Sequence, residues 1–378
     1  MRIYLKNNGY AVSEKFPMTV FEMEDSLDKL KQTESVVRFE ISEYDNMKLP
    51  SSICHREFST DIYKLNLFAE RLEKLNSSEM TAFKSLLTAK PDCDFEDILK
   101  MTYGLDSVMI YPCFGCRELG ETVIENEMML ELESCSDEVL ALLDPEKVGG
   151  LMQKQDGGVF IDGHYCVTSG YEPPDINIEI GKLESCFFRL LIVPEEEKIE
   201  QAQWISLPYE MEITSDFCNG ICLDFQSSLP NLKFDDAHKI GTLNELAERI
   251  SHLSHDAFVK LKAVMEAENI HEIGETFDCI EHLTDYEFDR LVSDESAFGR
   301  TYLAGNLPTN FNNSMLENID LYDFGREILC HKQGEITSYG AVSGRGQELY
   351  SALTIEPEQQ LEEELEEDFE PEMGGMNL

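Results

Sequence analysis

The sequence predicts an α+β fold class, with one arrangement of elements occurring twice in tandem along the 378-residue chain. Three observations support this prediction: a repeated sequence pattern at a nearly constant spacing, apolar residues at helical intervals in both repeats, and strand-like segments ahead of each repeat. Each copy is expected to contain a small antiparallel β-sheet part, a helical hairpin part and a mixed α/β part.

The repeat is clearest in two segments that are 178 residues apart. Residues 65–75 read LNLFAERLEKL and residues 243–253 read LNELAERISHL, and seven of 23 positions are identical when the match is extended without gaps. Both segments carry apolar residues at the intervals of an amphipathic helix. Each then reaches a capping residue, Asn76 or Ser254, before a second helical pattern begins. We therefore predict a helical hairpin at matching places in the two copies.

Further along the chain the match resumes at a spacing of 176 residues, with Gly149 opposite Gly325 and Gly158 opposite Gly334. The pattern predicts a helix followed by a strand in each copy: residues 144–155 and 159–167, then residues 320–332 and 335–342.

Ahead of the helical hairpins, the sequence favours β-structure. The expected strands are residues 2–6, 18–22 and 37–42 in the first copy and residues 186–193, 204–207 and 221–226 in the second.

The copies are assigned to residues 1–170 and 185–350. Residues 171–184 form the predicted linker, because Pro173 and Pro174 oppose both helix formation and strand pairing. Residues 351–378 contain ten acidic side chains and no basic one, which is typical of a disordered, solvated tail.

Charge is the most unusual property of the composition: 75 Asp and Glu oppose 30 Lys and Arg, for a net charge of −45. Such a chain repels nucleic acid and anionic membrane surfaces, so its expected partners are basic. Because duplex DNA carries one charge per ~1.7 Å of axis, 45 charges correspond to roughly 75 Å of duplex. The protein could stand in for DNA, or its carboxylates could be only a solvated surface.

The N-terminus lacks an apolar signal core, and no later segment approaches the ~18 apolar residues of a membrane helix. The eleven cysteines form no compact framework. We expect a cytoplasmic protein with reduced thiols and no disulfide bonds.

Few residues suggest a metal, a cofactor or catalysis. Two cysteine pairs and one histidine pair have metal-like spacing, but the pairs fall in different predicted parts and the histidines lack a third ligand. They are Cys113 with Cys116, Cys218 with Cys222, and His252 with His255. Gly344-Arg345-Gly346 lacks the third glycine of a dinucleotide motif, and no Gly-x-Ser-x-Gly segment occurs. The sequence predicts no metal, no cofactor and no enzyme; a metal-dependent enzyme is the alternative that elemental analysis would test.

Short segments in both copies match one known family. In the second copy, residues 319–328 read IDLYDFGREI and precede Gly334-Glu335-Ile336. The first copy contributes Ile3-Tyr4-Leu5, the acidic segment EISEYD at residues 40–45 before Leu49-Pro50, and the Leu65-Asn66 helix. With these segments, each copy resembles the ArdA family of antirestriction proteins. The segment similar to the family's Tyr-Gly-Arg-Asp motif comprises Asp320, Tyr322, Phe324, Gly325, Arg326 and Glu327. The first copy has KVGGL at residues 147–151, so it lacks the aromatic, arginine and acidic features.

The resemblance implies an elongated, three-part α+β protein that is not an enzyme. Its surface carboxylates would mimic the phosphates of bent DNA and occupy the DNA-binding groove of type I restriction-modification enzymes, with the methyltransferase core as the partner. It also implies a bacterial cytoplasm and a mobile genetic element. Because family members usually pair as homodimers, two copies in one chain suggest a monomer acting as a pseudo-dimer, or a homodimer; light scattering distinguishes these.

Seventeen acids around the predicted helices are the candidate phosphate-mimicking carboxylates. They are Glu70, Glu73, Glu79, Asp92, Asp94, Glu96 and Asp97 in the first copy, and Glu245, Glu248, Asp256, Glu266, Glu268, Glu272, Glu275, Asp285, Glu287 and Asp289 in the second. The rival hypothesis is an acidic interaction module that inhibits another basic protein, such as a CRISPR effector, a nucleoid protein or a conjugation factor.

Overall fold

A computed structural model describes residues 1–43, 49–50, 53–175, 186–195, 197–209, 219–234, 239–307 and 319–344. The chain divides into two compact units, residues 1–189 with 226–228 and residues 190–225 with 229–378. The architecture is mixed α+β, with several small antiparallel sheets, so the predicted class is confirmed. The predicted tail, residues 176–184 of the predicted linker, and Tyr44 and Asp45 of the acidic motif lie outside the described residues.

The first unit opens with a four-stranded antiparallel sheet in the order β2-β1-β3-β4. Its strands are β1 (Arg2–Asn7), β2 (Tyr10–Lys15), β3 (Val36–Glu43) and β4 (Glu57–Asp61). In β1, the fully buried Ile3 and Leu5 alternate with exposed residues, so one face of the sheet covers the core and the other meets solvent. The sequence had indicated β1 and β3 but not β2 or β4.

Residues 18–22 were predicted as a strand, and this prediction is wrong. Helix α1 (Val20–Lys29) begins there, with Thr19 as its N-cap. The Thr19 hydroxyl accepts from the Glu22 amide, and the Glu22 carboxylate accepts from the Thr19 amide. This reciprocal pair satisfies two amides that a helix start otherwise leaves without partners, which favours a helix over a strand.

The predicted helical hairpin is present as α2 (Ile62–Lys74) and α3 (Ser77–Ala89). Asn76 caps α3, as expected, by accepting from the amides of Ser78 and Glu79. The apolar face of the hairpin packs against the first sheet, and in the core the Phe95 ring makes edge contacts with both Phe39 and Phe68.

The remainder of the first unit is a small sheet in the order β5-β7-β6 together with helices. The elements are α4 (Phe95–Lys100), β5 (Met109–Tyr111), α5 (Cys116–Glu125), α6 (Asp137–Leu140), α7 (Pro145–Asp156), β6 (Val159–Ile161) and β7 (His164–Val167). The single strand predicted over residues 159–167 is a hairpin. Asp162 and Gly163 both have positive φ and form its two-residue turn, a conformation that the Asp-Gly sequence favours.

The second unit has a three-stranded sheet in the order β10-β8-β9, followed by helices and a sheet in the order β11-β13-β12. Its strands are β8 (Phe188–Val193), β9 (Gln203–Leu207), β10 (Ile221–Ser227), β11 (Glu287–Asp289), β12 (Gly334–Thr337) and β13 (Gly340–Ser343). Its helices are α8 (Ile240–Ser251), α9 (His255–Ala267), α10 (Ile273–Glu281), α11 (Glu295–Asn306) and α12 (Leu321–His331). The strand predicted over residues 335–342 is again a hairpin.

One contact at the base of the helical hairpin occurs in both units. The amide of Met18 donates to the Asn66 side-chain oxygen at 2.7 Å, and the amide of Tyr209 donates to that of Asn244 at 2.7 Å. Each asparagine then donates to the glutamate four residues further on. The Leu-Asn repeat in the sequence therefore reflects an asparagine side chain that hydrogen-bonds the preceding segment to the first helix of the hairpin.

A second shared contact is a crossing of two helices through paired glycines. A Cβ atom on Gly149 of α7 would lie 1.9 Å from the Cys116 carbonyl oxygen, and one on Gly325 of α12 would lie 1.9 Å from that of Glu295. The partners across the crossings are Gly120 and Gly299, both likewise without room for a side chain. Only glycine permits the backbones of these helices to approach so closely.

A third shared feature is a buried lysine on the second helix of the hairpin. Lys84 of α3 is 8% exposed and Lys262 of α9 is 1% exposed. The Lys84 ammonium lies 2.7 Å from the Asp162 carboxylate in the β6–β7 turn, whereas the Lys262 ammonium lies over the Phe258 and Tyr339 rings.

We expect Asp162→Asn to lower the free energy of unfolding by about 1 kcal/mol, because it leaves the buried Lys84 ammonium without its countercharge. The loss is modest because the Asp162 carboxylate is half exposed and solvent screens the pair. Asparagine tolerates the positive φ of this position, so the change tests charge alone. Lys84→Met, which replaces a buried charge by an apolar side chain, should cost less. Urea unfolding measures both; a larger loss for Lys84→Met would contradict this account.

Candidate functional site

The family-like segment Asp320–Glu327 forms the start of α12. Asp320 is the N-cap and accepts from the amides of Tyr322 and Asp323. Gly325 faces α11 at the helix crossing, and the Phe324 ring lies 6.1 Å from that of Tyr302. These members of the segment hold the helix in place.

The other members of the segment are exposed and carry both signs of charge. Arg326 lies 3.1 Å from the Asp323 carboxylate and over the Tyr322 ring, while Glu327 lies 3.9 Å from His331. Because Arg326 offsets one of the three acids Asp320, Asp323 and Glu327, the segment is only moderately anionic.

Several candidate carboxylates of the first unit have structural roles. Glu79 completes the capping box of α3, and Asp94 caps α4. Glu96 lies 2.8 Å from the Lys64 ammonium, and Glu70 accepts from Asn66 and lies 3.9 Å from Lys74. These groups stabilise the scaffold and are only partly available to a partner.

Several candidate carboxylates of the second unit also have structural roles. Glu287 lies 2.7 Å from the Lys332 ammonium, which holds the pKa of that carboxyl below its usual range. Glu266 accepts from both the amide and the hydroxyl of Ser338. The remaining engaged candidates are Glu245 with Arg249, Glu248 with Asn244, Asp256 with Arg290, Glu268 with Tyr286 and Asp289 with the Leu291 amide. Asp285 is half-buried.

Five candidates are exposed and make no side-chain hydrogen bond or ion pair with any described residue. They are Glu73, Asp92, Asp97, Glu272 and Glu275. Of the seventeen predicted carboxylates, these five are the most available to a basic partner.

A further anionic surface, outside the predicted carboxylates, lies in residues 118–146 of the first unit. This segment holds ten acidic residues and no basic one, and all ten are exposed. They are Glu118, Glu121, Glu125, Glu127, Glu131, Glu133, Asp137, Glu138, Asp144 and Glu146. None was among the predicted carboxylates, although a count of charge over a sliding window would have found them.

An ordered core supports this surface. Leu119 and Val123 of α5, Leu132 in the turns that follow it and Val148 of α7 are buried in one cluster with Tyr165. Two neighbouring cations lie at its ends: Arg117 is 3.8 Å from Glu146, and Lys147 is 3.6 Å from Asp144. The other eight acids form no ion pair with any residue that the structure describes.

The predicted cysteine and histidine pairs have ordinary surroundings. Cys113 is buried 3.7 Å from the Thr122 hydroxyl, Cys116 lies 3.7 Å from the Gln153 side-chain oxygen, and Cys222 lies 3.4 Å from the Asp224 carbonyl. Cys218, Arg345 and Gly346 lie outside the described residues. His252 is the C-cap of α8, and His255 is the first residue of α9. Within the described ranges, no three His, Cys, Asp or Glu side chains come together as a metal would require.

Each helix in the described part of the chain is too short or too polar to cross a bilayer. In comparisons with known proteins, no protein-family model and no curated protein sequence matches the chain.

Proposed function

We propose that this protein is an antirestriction protein that mimics DNA and occupies the DNA-binding groove of a type I restriction-modification enzyme. The observation that carries the proposal is the surface of residues 118–146, where ten exposed carboxylates without a basic residue rest on an ordered core. The resemblance of the α12 segment supports the choice of enzyme class.

The physical basis is competition for the same cations. A DNA-binding groove presents Lys and Arg that neutralise phosphates, and the same side chains bind carboxylates. A folded anionic surface loses less conformational entropy on binding than a flexible chain does. Long-range attraction also accelerates encounter, and added salt weakens it.

The shared contacts of the two units support a further part of the proposal, that the chain consists of two copies of one scaffold. Asn66 and Asn244, Gly149 and Gly325, and the buried Lys84 and Lys262 recur at the spacing of the sequence repeat and make similar contacts. The copies differ in surface charge, so they need not contact the enzyme equally.

The test is restriction of an unmodified phage in cells that hold a type I system, with and without the protein. We expect the protein to relieve restriction, and unchanged restriction across several type I families would contradict the proposal. Pull-down from cells with and without the type I subunits then identifies the partner. Recovery of a different nucleic-acid-binding protein in both would favour the rival acidic module.

Because binding is distributed over many carboxylates, neutralising one of them should have little effect. We expect Glu73→Gln to change the affinity for the enzyme less than about fivefold, since one exposed pair contributes only ~0.2–1 kcal/mol. Titration of the purified partners measures this. Complete loss of inhibition by one such change would indicate a catalytic carboxylate instead.

A further inference from the structure

The second unit contains a cavity of about 380 Å³ whose chemistry suits a cation. It lies between the C-terminal end of α9, one face of α10 and Tyr286. The lining residues that matter are Glu268, Glu275, Asp278, Cys279, His282 and Tyr286. Its volume is at the lower end of the ~300–1,000 Å³ of ligand pockets, which fits a side chain better than a large molecule.

Local sequence explains why these groups converge. Glu275, Asp278, Cys279 and His282 follow one another at intervals of three, one and three residues, so they share one face of α10 and its end. After α9 ends, the chain turns at Asn269, which has a φ of 55°, and this turn sets the Glu268 carboxylate beside that face.

Two electrostatic contributions make the cavity negative. The first is the three carboxylates of Glu268, Glu275 and Asp278, all exposed, with neither Lys nor Arg in the lining. The second is the backbone: α9 ends beside the cavity, and a helix C-terminus carries about half a negative charge. The end of α9 favours a cation independently of the side chains.

The interior of the cavity is neutral and partly apolar. The Cys279 thiol is buried, and burial raises its pKa to about 12, so it stays uncharged at neutral pH. The Tyr286 hydroxyl donates to the Glu268 carboxylate at 3.4 Å, which holds an aromatic ring beside the acids. A ring next to carboxylates is the combination that binds a guanidinium, through cation–π attraction and hydrogen bonds together.

The corresponding place in the first unit has different charges. At the repeat spacing of 178 residues, Lys90 stands where the second unit has Glu268, and Lys100 where it has Asp278. The surrounding elements correspond as well, since the 3-10 helices Leu105–Ser107 and Leu283–Asp285 and the strands β5 and β11 keep the same spacing. The first unit therefore lacks two of the three carboxylates that make the cavity of the second unit negative.

We propose that this cavity binds an arginine side chain of the partner protein. The identity of the partner rests on the proposed function, whereas the cavity and its preference for a cation do not. The second unit would thereby recognise one particular basic residue in addition to the distributed attraction of the acidic surfaces.

The direct test uses N-acetyl-arginine amide as the probe and amide NMR spectra of the full chain. We expect shifts concentrated in residues 268–286, and none with the uncharged analogue N-acetyl-citrulline amide at the same concentration. The double variant Glu268→Lys/Asp278→Lys, which introduces the residues of the first unit, should abolish them. The control Glu200→Lys/Glu335→Lys makes the same change in net charge at two exposed acids that pair with no described residue.

Binding to the type I enzyme separates the two proposals. The cavity variant should weaken enzyme binding at least tenfold more than the control. Equal effects of the two variants, or probe shifts spread evenly over the acidic surfaces, would overturn the arginine site and leave the proposed function intact. If the wild-type protein binds the probe in the cavity but does not relieve restriction, the site stands and the proposed function fails.

Discussion

Gly149→Ala is expected to destabilise the first unit strongly, whereas the same substitution at the neighbouring Gly150 is expected to stabilise it slightly. A Cβ atom on Gly149 would lie 1.9 Å from the Cys116 carbonyl oxygen, so α5 and α7 must move apart. A Cβ atom on Gly150 meets nothing within 4 Å. The two glycines are adjacent on one helix, so they form a closely matched pair.

The magnitudes follow from packing and from helix propensity. Overpacking costs ~1–3 kcal/mol, and we expect about 3 kcal/mol at Gly149 because the clash is with backbone. Alanine is more favourable than glycine in a helix interior by up to ~1 kcal/mol, which sets the gain at Gly150. Thermal unfolding should show a fall of roughly 6–12 °C for Gly149→Ala and a small rise for Gly150→Ala.

The same comparison is available at the second crossing. Gly325→Ala should destabilise the second unit, since its Cβ would lie 1.9 Å from the Glu295 carbonyl oxygen, whereas Gly305→Ala in α11 should not. Similar unfolding temperatures for the Gly149 and Gly150 variants would show that the helices can separate at little cost. The paired-glycine account of the crossing would then be wrong.

Neutralising six acids of the segment 118–146 together is expected to reduce affinity for the type I enzyme more than about a hundredfold. Each exposed contact contributes roughly 0.5 kcal/mol, so six contribute about 3 kcal/mol. The variant changes Glu121, Glu125, Glu127, Glu131 and Glu133 to Gln and Asp137 to Asn. These side chains form neither a cap nor an ion pair with the described residues, and removing repulsion should not lower stability.

The matched control makes the same change in net charge within the acidic tail, outside the described residues. It changes Glu362, Glu363, Glu364, Glu366 and Glu367 to Gln and Asp368 to Asn. Both variants are titrated against the enzyme at several salt concentrations. The variant in segment 118–146 should lose affinity and show a shallower salt dependence, while the tail variant should change little. Equal losses would mean that net charge, and not the folded surface, determines binding.

Much of the local structure could be predicted from the sequence, because its causes are local. The periodicity of Leu65 to Leu75 and the cap at Asn76 predicted the first hairpin, and both are found. The capping box at Thr19 and the Asp162-Gly163 turn were equally readable, but the apolar residues around them favoured strands. The hydrogen bonds of the Thr19 capping box favoured a helix over a strand, and the positive φ of Asp162 and Gly163 divided the second strand into a hairpin.

The candidate site was less predictable. Proximity to helices selected the seventeen carboxylates, yet most of them cap helices or pair with cations in the folded chain. The segment 118–146 could have been found from charge density, but its exposure depends on the buried cluster around Tyr165. The cavity beside Tyr286 could not be predicted from the sequence, because its acids cannot be distinguished there from other surface acids. Only the fold brings them together beside the Tyr286 ring.

The sequence by itself determined the α+β class, the repeated helical hairpins and the excess of negative charge, since periodicity, caps and composition act over a few residues or over the whole chain. Only the tertiary structure decided which of those charges are available to a partner. Lys64 neutralises Glu96 from 32 residues away and Lys332 neutralises Glu287 from 45, whereas among the described residues only Arg117 and Lys147 form ion pairs with the acids of residues 118–146. Charge pairing depends on distance in space, and folding alone fixes that distance.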